Sequence, residues 1–76
     1  MSVEVAIAKC LLRDRRKAAG LTQEQLALKV GSVKNRISEY ENGEINMTVI
    51  TAKKLAVACN CDLDDLFEFT IDRGRG

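Results

Sequence analysis

Seventy-six residues are enough for one small domain, core about 5–68 and tail 69–76, near the lower size at which a hydrophobic core holds without disulfides or metal. The composition, 46% hydrophobic and 30% charged with no proline or tryptophan, suits an all-helical globule; without histidine the usual general base is missing, which argues against an enzyme. The net charge of +1 is unevenly spread: residues 1–58 carry ten basic and six acidic groups, residues 59–76 two and five, so a nucleic acid, if one binds, meets the first part of the chain.

Residues 1–9 lack the basic start and long apolar stretch of a signal peptide. No apolar run approaches the roughly 20 residues of a membrane span, so a cytoplasmic protein is expected. Val5, Ala8, Leu12 and Ala19 fall on one helical face and Gly20 follows as a C-terminal stop, which predicts helix one over Val5–Ala19. Val3, Ile7, Cys10 and Leu11 form a second apolar stripe on it. Thr22 and Gln25 make a capping box, with Leu21 and Leu26 as its staple, and start helix two, which sends Leu26, Ala27 and Val30 inward and reaches Gly31 after about two turns.

A short third helix, Val33 to Tyr40, points Ile37 and Tyr40 inward and Lys34, Asn35, Arg36 and Glu39 outward. Two short helices joined through a glycine turn are the helix-turn-helix arrangement. Thr48 caps a fourth helix with Val49, Ala52, Leu55, Ala56 and Cys59 at core spacing, and Asn60 suits the position after its end. Cys59-Asn60-Cys61 is a weak metal or redox motif, since the cysteines are three and no histidine completes a set; they read as reduced core thiols, with no metal and no cofactor. Asp62 and Asp65 cap a fifth helix holding Leu63, Leu66 and Phe67. Phe67 to Ile71 alternates apolar and polar, leaving a short strand open for the tail.

Gly20-Leu21-Thr22-Gln23-Glu24-Gln25-Leu26-Ala27, Gly31, Ile37-Ser38, Tyr40-Glu41-Asn42-Gly43 and Leu63-Asp64-Asp65-Leu66-Phe67 together resemble the lambda-repressor-like (Cro/cI) helix-turn-helix family. The resemblance covers roughly residues 8–67 and is strongest to its small stand-alone regulators. It implies a five-helix fold that binds double-stranded DNA and regulates transcription, most simply as a repressor. It also implies base contacts from Lys34, Asn35, Arg36 and Glu39, phosphate contacts from Thr22, Gln23, Asn42 and the Gly43 amide, and a structural pair of Arg16 with Glu41.

The chemistry of helix three agrees independently. Lysine donates to guanine, asparagine pairs bidentately with adenine, and glutamate accepts from cytosine. As isolated charges the same residues would be a solvated helix face. The basic run Arg13, Arg15, Arg16, Lys17 fits either phosphate contact or compensation of the helix dipole.

The sequence departs from the family at four places. Ser32-Val33 reverses the usual apolar–cap order, so either Ser32 takes over as cap or the helix starts with a poor one, at a cost of about 1 kcal/mol. Glu44 stands where a basic residue often touches phosphate. Arg15 occupies a commonly apolar site, from which it would snorkel to the DNA backbone. Cys59 and Cys61 fill positions usually taken by leucine and valine.

Ile7, Leu11, Phe69 and Ile71 add more apolar surface than so small a monomer should expose, which predicts a homodimer reading a palindromic operator. A tail folded back on its own domain is the alternative. Arg73 and Arg75 read as a mobile end rather than a DNA-contacting arm. From another class, a protein-interaction module (antirepressor or adaptor) would keep the fold without DNA binding, favoured by Glu39, Glu44 and the low net charge. An antitoxin-type autoregulator paired with a toxin protein keeps DNA binding.

Overall fold

The chain follows the order β1 (Glu4–Cys10), α1 (Leu12–Ala18), α2 (Gln23–Val30), α3 (Lys34–Glu41), α4 (Val49–Ala58), a 3-10 turn (Leu63–Leu66) and β2 (Phe67–Asp72) in a computed structural model that describes residues 2–74. Local chemistry sets most of the helix boundaries. At the start of α2 the Gln25 N–H donates to Thr22 Oγ1 at 3.1 Å and the Thr22 N–H donates to Gln25 Oε1 at 2.8 Å, a reciprocal capping box. Thr48 accepts from the Thr51 N–H at 3.1 Å and starts α4.

All four helices end alike, on a left-handed residue that turns the chain out of the helix: Gly20, Gly31, Gly43 and Asn60. At Gly31, φ is +71°; its N–H donates to Leu28 O at 3.4 Å and the Ser32 N–H donates to Ala27 O at 2.8 Å. That reversal leads directly into α3. There Val33 takes the cap position in an extended conformation and supplies no side-chain hydrogen bond, so α3 starts with a poor cap and Ser32 does not replace it.

The helices close on a small core of Leu12, Leu26, Ala27, Ile37, Ala52, Leu55, Ala56, Cys59 and Leu66. At roughly 25 cal/mol per Å² of apolar surface removed from water, side chains such as Leu12 or Leu55, with no exposed surface, each contribute about 2 kcal/mol. Cys59 is buried and Cys61 half-buried; burial is the first cause that pushes both thiols up, so neither is a ready nucleophile. Among the described residues no group of three or more histidine, cysteine or acidic side chains is placed to hold a metal. No helix among them is long and apolar enough to cross a membrane.

Three expectations need correction. Helix one does not begin at Val5: residues 4–10 form β1, so Val5 and Ala8 are exposed rather than in the core. Among the described residues the fold therefore has four α-helices and a two-stranded sheet, and the fifth helix is one 3-10 turn, in which the Asp62 N–H donates to Asp65 Oδ2 at 3.0 Å. Val49, given a core position by its spacing, is 71% exposed in the first turn of α4.

The tail folds back on its own domain. β1 and β2 pair antiparallel, Val5 with Ile71, Ile7 with Phe69 and Cys10 with Phe67, while Glu4, Ala6 and Lys9 face Asp72, Thr70 and Glu68. The register shift between Ile7 and Lys9 takes up Ala8 as an extra residue, which keeps the apolar pairs on one face of the ribbon and the polar pairs on the other. At the ribbon's base the Leu11 N–H donates to Leu66 O at 2.7 Å, so Leu11 is half-buried at the junction with α1 and not on the ribbon's open face. Arg73 is exposed; Arg75 lies outside the described residues.

Candidate nucleic-acid interface

α3 is a strongly polar helix, and its packing decides which side chains remain available. Ile37 is fully buried and Tyr40 packs half-buried against the core, which leaves Lys34, Asn35 and Arg36 exposed on the opposite side. Two loose ion pairs tether this face: Lys34 Nζ lies 3.9 Å from Glu24 Oε1, and Arg36 Nε lies 3.9 Å from Glu39 Oε1. All four side chains are at least 39% exposed, so these contacts are weak and exchangeable.

The end of α3 is held much more firmly. Glu41 has no exposed side-chain surface and receives donors from two other helices. Arg16 Nε donates to Glu41 Oε2 at 2.6 Å, and its second terminal nitrogen donates to Oε1 at 3.3 Å. Gln23 Nε2 reaches Oε1 at 3.0 Å, and Arg13 Nε reaches it at 3.4 Å. Burial alone would raise the Glu41 carboxyl, but the hydrogen bonds from Arg16, Gln23 and Arg13 and the Arg16 charge outweigh it and hold the group below the usual carboxylate range. One carboxylate thus clamps α1, α2 and α3 together.

This clamp changes what several of the sequence candidates do. Gln23, given to a phosphate by the family resemblance, spends one amide hydrogen on Glu41. Thr22 uses its hydroxyl and amide in the capping box, while the Gln23 and Glu24 N–H groups at the helix start have no intrahelical partner. Asn42 is exposed; its Oδ1 accepts from Arg13 at 3.1 Å, and its Nδ2 reaches Ser38 Oγ at 3.4 Å. The Gly43 N–H donates to Tyr40 O at 3.2 Å and closes α3, so Gly43 offers close approach rather than an open donor.

Arg15 is tied to another part of the chain: its Nε donates to Asp65 O at 2.9 Å and its guanidinium lies 3.9 Å from Asp65 Oδ1, on the acidic end. Arg13 is the residue that sequence reasoning placed only in a basic run. It bridges Glu41 and Asn42 across 28 and 29 residues, a separation that no local spacing signals.

With this geometry in hand, known proteins give a consistent comparison. A helix-turn-helix family model, HTH_3, matches residues 12–66. The SPbeta prophage-derived uncharacterized HTH-type transcriptional regulator YopS of Bacillus subtilis is 31% identical over 72 residues, 93% of this chain and 97% of that one. The crystal structure of the restriction-modification controller protein C.AhdI from Aeromonas hydrophila superposes with a TM-score of 0.69 at 36% identity, over 74% of this chain and 81% of that one. FeII HppE in complex with substrate superposes with a TM-score of 0.71 at 25% identity, but the match covers only 34% of that longer chain. The chain therefore belongs to the Cro/cI-type helix-turn-helix family, to which small transcriptional regulators of its own length are related.

Proposed function

We propose that this protein is a sequence-specific double-stranded DNA-binding regulator of transcription, acting in the cytoplasm as a repressor through a palindromic operator. In this reading α2 and α3 are the helix-turn-helix pair and α3 enters the major groove. The observation that carries it is the contrast within α3: an exposed face of Lys34, Asn35 and Arg36 on a helix whose far end is locked to α1 and α2 through Glu41. A rigidly mounted face with donors and an acceptor of mixed kind suits base readout, with Glu39 as the acceptor. The unpartnered N–H groups at the start of α2, the Gln23 and Asn42 side chains and the close approach at Gly43 would contact phosphates and set the register.

The ribbon supports a homodimer. Val5, Ile7 and Ile71 are each more than half exposed and Phe69 is 39% exposed, all on one face of a two-stranded sheet. Such a ribbon is marginal in water with its apolar face open, and a second copy packing the same face about a two-fold axis covers both. Two α3 helices would then stand about 34 Å apart, one turn of duplex.

The test is selection of bound duplexes from a random library with the wild type and Asn35→Ala in parallel. The expected result is an enriched palindrome for the wild type and loss of preference at one position per half-site for the variant, a discrimination of about 1–3 kcal/mol. If the wild type enriches nothing even at low salt, the chain does not bind DNA in a sequence-specific way, and the exposed α3 face belongs to a protein partner.

A further inference from the structure

The Glu41 clamp holds two guanidinium groups against one carboxylate, so one positive charge is left over. Arg16 is the inner member: it is 8% exposed, takes both Glu41 oxygens and donates a further N–H to Leu21 O at 2.9 Å. Arg13 is the outer member, with 52% of its side chain exposed, a longer 3.4 Å contact to Glu41 and a 3.1 Å bond to Asn42 Oδ1. A guanidinium has five N–H donors. Two of them are occupied here, which leaves three beside the polar ends of Gln23 and Asn42.

We propose that Arg13 is a phosphate-binding residue of the DNA interface, oriented by Glu41 and Asn42 to grip a backbone that passes from the start of α2 to the end of α3. The inference rests on the DNA-binding reading and adds α1 to the interface. The planar fork suits it: two edges are pinned inside the protein, and a phosphate takes the donors that remain, with little side-chain freedom left to lose. Arg15, two residues on, is committed to Asp65 and has no such place. The Arg13–Asn42 bond also gives Asn42 a second task, holding the guanidinium as well as meeting the duplex.

Salt dependence separates this role from a merely structural one, because the slope of log affinity against log salt counts neutralised phosphates, whereas loosening of the fold lowers affinity without changing that count. Wild type, Arg13→Gln and Arg13→Lys are titrated with the selected duplex and with a mixed-sequence duplex over a range of salt, after thermal melting of each variant. The expected result is a slope shallower by about 0.9 for Arg13→Gln on both duplexes, and a slope near wild type for Arg13→Lys, which keeps the charge. A steep wild-type slope that Arg13→Gln leaves unchanged overturns this inference alone. A wild type with no salt-dependent binding overturns the DNA-binding reading and this inference with it.

Discussion

Glu41 is a carboxylate shut away from solvent, and its environment dictates how the protein should respond to acid and to mutation. Its folded-state pKa lies below the usual range, because donors from Arg16, Gln23 and Arg13 outweigh the burial that would raise it. The stabilisation is therefore present at neutral pH and is lost as pH falls beneath the usual carboxylate range, through the depressed folded value. Glu41→Gln should remove this acid-sensitive step. At pH 7 it leaves the Arg16 charge buried and unpaired, at a cost of about 3 kcal/mol, and lowers the melting temperature by on the order of 10–20 °C. Parallel melts of both proteins across pH 3–7 check this; a variant within 1–2 °C of wild type at pH 7 would sink the account. The resemblance to known regulators pointed to Arg16 with Glu41, and spacing alone did not. Gln23 and Arg13 as further partners were not legible, since 18 and 28 residues separate them from Glu41.

Helix ends were more readable than helix interiors, because a cap is written in two or three adjacent residues. Thr22 with Gln25, Thr48, Asp62 with Asp65, and the left-handed positions Gly20, Gly31 and Asn60 all sit in the sequence where the chain uses them. The α3 start shows what the same logic leaves unfilled. Val33 already holds an extended cap conformation and is 64% exposed, so Val33→Thr adds a hydroxyl of the right kind without disturbing the core. It should stabilise the fold by about 1 kcal/mol, read as a higher urea midpoint with unchanged slope. Residues 4–10 were misread for a different reason. Val5, Ala8 and Leu12 fit a helical period, but Val3, Val5 and Ile7 also alternate as a strand does, with branched side chains that favour one. Only pairing with residues 67–72 decides between the two, and no short window contains both segments.

At the scale of the whole molecule the ribbon dominates the shape, 47 × 22 × 18 Å for the described residues. Its apolar face was anticipated as surplus surface from Ile7, Phe69 and Ile71; the pairing and the Ala8 bulge that gather them were not. If two copies meet there, Ile71→Lys places a charge in the interface while leaving the strand intact. Sedimentation should then show a dimer for wild type and a monomer for the variant at micromolar concentration, with weaker operator binding because each half-site is held alone. A wild type that sediments as a monomer at the highest soluble concentration removes the homodimer from the proposal. The ribbon also has a kinetic consequence. Thr70 and Ala6, which meet across it at 3.5 Å, lie 64 residues apart, and closing so long a loop early would cost much entropy for few contacts. The helices are local and can form and pack first, bringing the two strands together through the Leu11–Leu66 bond at the ribbon's base. The surface proposed to receive a second copy thus exists only on chains whose core is already complete, so a half-folded or damaged subunit has nothing to offer a sound one, and assembly itself screens for folding.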